Sequence, residues 1–252
     1  MKKMPRDEER IDDLLWRNLK IIQNPKWFCF SLDAVLLASF ATLRPGDRVV
    51  DLGTGTGVIP LLLSARHKTT RIIGLEIKEE VAEMAQRSVA LNGLTNCIEI
   101  MMGDVKSASV LLGKGRFDLV VSNPPYALAG AGKISDSSIK AAARTEILCS
   151  LEDVIREAAL LLNSEGRFAI VHRPTRLADI ISLMRNYRLE PKRMRFVHPG
   201  PEKEPNLLLV EGIKNGKKEV HVQSPLYVYQ KPGVHSEEMK GIFNGEILTE
   251  EW

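Results

Sequence analysis

Short apolar runs rich in Val and Ile occur at residues 48–52, 71–75, 98–102, 117–122 and 167–171. Helical patterns lie among them at 58–66, 78–92 and 151–163. Continuous apolar runs of this length predict strands covered on both faces. Their alternation with helices predicts a doubly wound parallel sheet, an α/β fold with helices on both faces. Two later strands are expected at 193–198 and 207–213, after a helix near 175–186, which makes seven strands in a mostly parallel sheet.

Two segments break the alternation. Residues 127–145 are small and polar without periodicity, and they directly follow Asn123-Pro124-Pro125-Tyr126. That position suits a mobile loop over a site. Residues 221–252 are polar with scattered aromatics and read as a partly docked appendage. Ahead of the first predicted strand, Ser31 can cap a helix over 32–42 that Pro45-Gly46 ends. Trp27, Phe28 and Phe30 precede it, either as a staple on the core or as a wall of a ligand pocket. The expected organisation is an N-terminal helical segment over 1–44 that covers the site, a catalytic domain over 45–215 and a tail over 216–252.

Composition narrows the class. An apolar fraction of 44% with 27% charged residues is ordinary for a soluble globular protein. No window approaches eighteen uncharged apolar residues, so no membrane span is expected. The charged start lacks an apolar signal core, which argues against secretion. Three scattered cysteines, Cys29, Cys97 and Cys149, suit a reducing cytoplasm and speak against a disulfide frame or a zinc site; no metal is expected. The net charge of +3 says little about partners, but between His172 and Arg195 seven Arg or Lys face two acids. That run reads either as an RNA or phosphate contact or as a solvated helix face with strand ends.

The glycine turn Asp51-Leu52-Gly53-Thr54-Gly55-Thr56-Gly57 follows a predicted strand and opens a helix. Glycines there permit a sharp turn and close approach of a ligand to the backbone. A dinucleotide turn has the spacing G-x-G-x-x-G, whereas this one is G-x-G-x-G. Asp51 would repel a pyrophosphate, but it can fix the ammonium of a methionine moiety, directly or through water. Glu76 ends the next strand and can accept both hydroxyls of a ribose. Asp104 ends the third and can accept from an adenine amino group. Together the three acids outline an adenosyl pocket at the carboxyl edge of the sheet, to which Ile77 and Val105 are also assigned. Each acid taken singly is equally a helix N-cap.

Asn123-Pro124-Pro125-Tyr126 follows the apolar strand at 117–122. Two prolines at a strand end stop ladder pairing and stiffen the turn. Such a turn can aim the Asn123 side-chain oxygen and the Pro124 carbonyl at the two hydrogens of one NH₂ group, with Tyr126 stacking on a planar substrate. An exocyclic amine is a poor nucleophile because its lone pair is delocalised. Two acceptors favour a pyramidal nitrogen, and in-line proximity supplies most of the rest. A strong general base is not required, and His67, His172 and His198 read as surface or strand-end residues. A nucleobase would have to be unstacked to reach this pocket, as single-stranded RNA loops allow.

These stretches, with Phe30-Ser31-Leu32-Asp33-Ala34-Val35-Leu36-Leu37, Asn92-Gly93, Ala143-Arg144-Thr145-Glu146 and His172-Arg173-Pro174, resemble class I methyltransferases of the small-domain type. The nearest resemblance is to the bacterial tRNA1(Val) adenine N6-methyltransferase family. It implies a Rossmann-like fold, S-adenosylmethionine as cofactor, tRNA as partner and methylation of the adenosine just 3′ of the anticodon. It also implies that the segment from Phe28 to Asp33 closes over the methionine end of the cofactor. Lys133, Arg144, His172, Arg173 and Arg176 are the candidate RNA contacts. The resemblance does not reach the tail.

Other substrates stay open at this point, because a glutamine amide in a protein and guanine N2 in ribosomal RNA need the same NH₂ clamp. A non-catalytic RNA-binding protein of this fold would carry a degraded motif, and none is seen. A nicotinamide-dependent oxidoreductase is disfavoured by the glycine spacing and by Asp51. Ala129-Gly130-Ala131-Gly132-Lys133 mimics a phosphate loop but lacks its first glycine and its Ser or Thr after Lys.

Overall fold

The computed structural model describes residues 5–14, 16–27, 29–67, 70–125 and 149–247. Tyr126, Lys133, Arg144 and the whole of 127–145 lie outside the described residues, as does Phe28.

The central strands form where the apolar runs predict them: β3 (Arg48–Leu52), β4 (Arg71–Glu76), β5 (Ile98–Met102) and β6 (Phe117–Ser122). β7 (Leu162–His172) and β8 (Leu189–His198) begin four or five residues earlier than the runs suggested, and β9 (Leu207–Lys214) completes the set. The early starts carry polar residues, such as Asn163, Glu165 and Glu190, that break the apolar pattern. The strand order is β8-β9-β7-β6-β3-β4-β5. β7, β6, β3, β4 and β5 are mutually parallel, while β9 runs antiparallel to both β7 and β8. The sheet has nine strands rather than seven, because β10 (His221–Val222) and β11 (Leu226–Tyr227) from the tail both pair with β8.

Alternate residues of each strand point to opposite faces, and the core divides accordingly. Leu119 and Val121 face one cluster with α1 (Leu32–Phe40), α2 (Val58–Arg66) and α3 (Glu79–Leu91). Val50, Val120 and Ile170 face the other, with α4 (Ala108–Leu112), α5 (Leu151–Leu161) and α6 (Leu177–Asn186). Each buried Val, Leu or Ile contributes about 1.5–3 kcal/mol over its exposed state.

Residues 1–44, expected to be helical, also hold a hairpin, β1 (Arg10–Asp13) with β2 (Lys20–Gln23). These four-residue strands are held from outside. The Ile22 amide donates to Ser88 Oγ and the Lys20 amide to Asn92 Oδ1, both on or next to α3. Arg87 is buried between Glu9 and Glu83, and its guanidinium holds the Glu9 carboxyl below the usual range.

α1 stops at Phe40, well before Pro45. Its end is fastened by distant groups. Arg66 Nη1 donates to the carbonyls of Ala38 and Ala41, and the Thr42 amide donates to Glu211 Oε2 at 2.6 Å. Ser31 occupies the N-cap position without making the cap bond it was expected to make, and its buried hydroxyl lies near the Asp33 carboxylate instead.

The tail is docked on the core. α7 (Glu237–Phe243) packs Met239 and Ile242 into the same cluster as α1 and Trp16, and Trp16 Nε1 donates to the Ile242 carbonyl at 2.6 Å. Among the described residues, no helix is long and apolar enough to cross a membrane.

Candidate active site at the carboxyl edge of the sheet

Strand register assembles the site. Leu52 lies opposite Leu75 on one side and Ser122 on the other, and Glu76 lies opposite Met102. Gly53, Glu76, Asp104 and Asn123 therefore leave four adjacent parallel strands at one edge. Neighbouring strands are about 4.8 Å apart, so the four positions span one small-molecule site. Ser122, which the sequence reading passed over, fixes the floor: its hydroxyl donates to the Leu52 carbonyl at 2.8 Å.

The glycine turn is left-handed at three positions, with φ of 76° at Gly53, 56° at Gly55 and 84° at Gly57. Side chains rarely adopt such angles. A Cβ added at Gly53 or Gly55 would meet nothing within 4 Å, so open space adjoins the turn. The amides of Gly53 and Thr54 both donate to the Leu75 carbonyl, and the Gly55 amide donates to Glu76 Oε2 at 3.0 Å. The other Glu76 oxygen accepts from the Lys78 amide.

Asp51 lies beneath this turn, fully buried, and neither carboxylate oxygen has a hydrogen-bond partner. Burial pushes its carboxyl up to about 7, the nearby Thr54 hydroxyl opposes the rise, and the charge of Glu76 adds to it. A buried, unpartnered carboxylate is costly and marks a place where a ligand or water satisfies the group. The Thr54 hydroxyl is also buried and lies beside the Asp51 carboxylate, outside good hydrogen-bond geometry.

Asp104 caps the 3₁₀ turn Val105–Ser107, its Oδ1 accepting from the Lys106 amide at 2.9 Å. The capping alternative thus holds for this acid, with Oδ2 turned toward Lys106 Nζ at 3.7 Å. Ile77 and Met102 stand exposed beside Glu76 and Asp104, and Val105 is half-buried. This edge therefore offers apolar surface next to two carboxylates.

Asn123 is half-buried, Pro124 buried and Pro125 exposed. Among the described residues, no hydrogen bond engages the Asn123 side chain.

α1 brings the N-terminal segment to the same edge. Arg167, low on β7, donates to the Thr42 carbonyl at the end of α1. Asp33, at the start of α1, feels the charge of Arg173, just past the end of β7. The helix therefore runs antiparallel to β7, and Asp33 and Phe30 lie at the site end. Burial raises the Asp33 carboxyl, and Arg173 opposes the shift. Phe30 is half-buried against the core, its amide donating to Gln23 Oε1 at 2.7 Å, while Trp27 is exposed.

The basic run between His172 and Arg195 is divided by the fold. Arg193 is buried, pairs with Glu211, donates to the Phe40 carbonyl and lies over the Phe40 ring at 4.0 Å. Arg195 is buried against Glu238 of the tail. These two are structural cations and not an RNA surface, because pairing inside the protein takes them out of solvent. Arg173 stays at the site edge, its Nη1 donating to the Asn206 carbonyl, and Arg176 pairs with Asp179. His172 is buried, with Nδ1 accepting from the Arg173 amide at 2.8 Å. Among the described residues, no group of three or more His, Cys, Asp or Glu is arranged to hold a metal ion.

The chain matches the model of the methyltransferase small domain over residues 20–188. A tRNA1(Val) (adenine(37)-N6)-methyltransferase of Porphyromonas gingivalis is 36% identical over 185 residues, covering 71% of this chain and 72% of that one. The enzyme of the same name from Parabacteroides distasonis is 33% identical over 179 residues, covering 71% and 74%. A crystal structure of a predicted O-methyltransferase from Agrobacterium tumefaciens superposes with a TM-score of 0.70 at 26% identity, over 85% of this chain and 97% of that one.

Proposed function

The chain belongs to the methyltransferase small-domain family, and from this we propose that it is an S-adenosylmethionine-dependent methyltransferase acting on the N6 amino group of an adenosine in tRNA. Relatives 33% and 36% identical over 71% of the chain are named for adenine 37 of tRNA1(Val), and that nucleotide is the assigned substrate. The setting is the cytoplasm, where tRNA is modified.

The observation that carries the reading is the juxtaposition of the Gly53–Gly57 turn, Glu76 and Asp104 with Asn123-Pro124-Pro125 on adjacent strand ends. The residues fit the cofactor. Open space adjoins Gly53 and Gly55, exposed Ile77 offers an apolar face, and the orphaned Asp51 carboxylate matches an ammonium group. Glu76 and the second oxygen of Asp104 serve the adenosyl moiety. When bound, S-adenosylmethionine supplies an electrophilic methyl group.

The chain's own contribution is orientation. Asn123 Oδ1 and the Pro124 carbonyl accept the two hydrogens of the adenine amino group, which localises the nitrogen lone pair and fixes its direction. Tyr126 is assigned the stacking face for the base. The stiff Pro124-Pro125 turn keeps both acceptors in place without reorganisation.

Labelled cofactor offered with bulk tRNA, ribosomal RNA and peptide release factor tests the assignment. Label in tRNA, recovered as N6-methyladenosine by nucleoside mass spectrometry, is expected. Label confined to protein, or to guanine of ribosomal RNA, would overturn it.

A further inference from the structure

The docked tail places a second set of exposed groups at the edge that holds Asn123. Val197 pairs with Leu207, His172 with Leu208 and Tyr227 with His198. The ends of β8 and β11 and the start of β9 therefore continue the edge occupied by Asn123 and Arg173. The order β6-β7-β9-β8-β11 puts Tyr227 four strand spacings from Asn123, about 19 Å across the sheet, and roughly 10 Å further along the strands. The Val228 amide donates to the His198 carbonyl and the Tyr229 amide to the Pro199 carbonyl. These bonds fasten the next hairpin, β12 (Tyr229–Lys231) and β13 (Val234–His235), to the same edge.

Three rings form a ladder there. Phe243 of α7 packs against the core. His235 meets Phe243 edge-on at 5.1 Å, and Tyr229 stacks on His235 at 4.7 Å with planes 20° apart. Tyr229 remains 38% exposed while His235 stacks on its ring. Lys231, two residues on, is exposed as well. A ring held this way pays little conformational entropy when a flat partner stacks on it.

We propose that the β12–β13 hairpin is a stacking platform, on which Tyr229 receives an unpaired nucleobase of the RNA substrate while Lys231 meets its backbone phosphate. The proposal rests on the RNA reading above. Single-stranded RNA is recognised mainly by bases stacked on aromatic side chains beside cations. It would give the tail a substrate-positioning role beside the catalytic edge.

The test uses the full chain and an unmodified tRNA transcript, with binding and methylation measured at several salt concentrations. Tyr229→Ala is expected to raise Kd and KM for tRNA about tenfold, with kcat within about twofold and the thermal midpoint kept. Tyr229→Phe keeps the flat ring and is expected to bind like wild type. Lys231→Ala is expected to lower the slope of log Kd against log salt by about one, whereas Tyr229→Ala leaves that slope unchanged. If the wild type methylates tRNA but Tyr229→Ala binds it equally well, the platform is refuted while the RNA reading stands. If the wild type methylates protein alone, the RNA reading falls and the platform with it.

Discussion

The amide of Gly55 donates to Glu76 Oε2 at 3.0 Å, so the glycine turn after β3 is tied to the acid that ends β4. One carboxylate thus shapes the turn that borders the cofactor space and remains a candidate acceptor for the cofactor's ribose. Glu76→Gln keeps an oxygen for Gly55, whereas Glu76→Ala removes it. Hydrogen bonds to charged groups contribute about 1.5–3 kcal/mol. Calorimetry with S-adenosylhomocysteine should show affinity about ten- to a hundredfold weaker for Glu76→Ala, with Glu76→Gln in between. Equal affinities would remove Glu76 from the cofactor site.

Asn123 tests the amine clamp separately from the cofactor. Asn123→Ala is expected to bind S-adenosylhomocysteine within about threefold of wild type, since the cofactor acids are untouched. Single-turnover methylation should slow about a hundredfold or more, the scale on which a lost preorganised polar contact acts. A mutant that turns over at the wild-type rate would end the clamp model.

Asp51 couples pH to both stability and binding. Its folded pKa of about 7 lies above the value of 3.8 expected in the unfolded chain. Between these values the unfolded chain has released a proton that the folded protein retains. Stability from this group is therefore full below pH 3.8 and is lost as pH rises through about 7. Asp51→Asn should melt higher than wild type at pH 8, by about 5 °C, and the gap should close toward pH 4. Cofactor affinity of the wild type should rise through neutrality as the carboxylate ionises, and that dependence should vanish in the variant.

Arg193 and Glu211 test whether the basic run is internal. Glu211→Ala leaves a buried guanidinium without its carboxylate and should destabilise the protein by about 3–5 kcal/mol in urea unfolding. Adding Arg193→Met should recover part of that loss, because an apolar chain of similar length removes the stranded charge while the Thr42 bonds to Glu211 stay broken. A double variant no more stable than Glu211→Ala would contradict the structural assignment of Arg193.

Much of this was legible in the chain. The bounds of β3, β6 and α2 coincide with their apolar runs, because strands covered on both faces and a helix buried almost throughout tolerate few polar residues. The hairpin of β1 and β2 escaped notice for the opposite reason. Arg10, Asp12, Asp13 and Lys20 break its pattern, and its outer hydrogen bonds are supplied by Ser88 and Asn92, some seventy residues away.

The sequence by itself determined the kind of site. The glycine spacing, the acids at strand ends and Asn123-Pro124-Pro125 are local signals, because turn geometry and side-chain chemistry depend on a few neighbouring residues. Which charges reach solvent was decided only by the tertiary structure. Arg173 and Arg193 look alike along the chain, yet one lies at the site edge and the other is buried over Phe40 beside Glu211. Desolvation depends on what folds back from far away, and no count of neighbouring charges contains that information. The same holds for the tail, whose aromatic residues became a ring ladder at the site edge only because β11 pairs with β8 and α7 docks against α1.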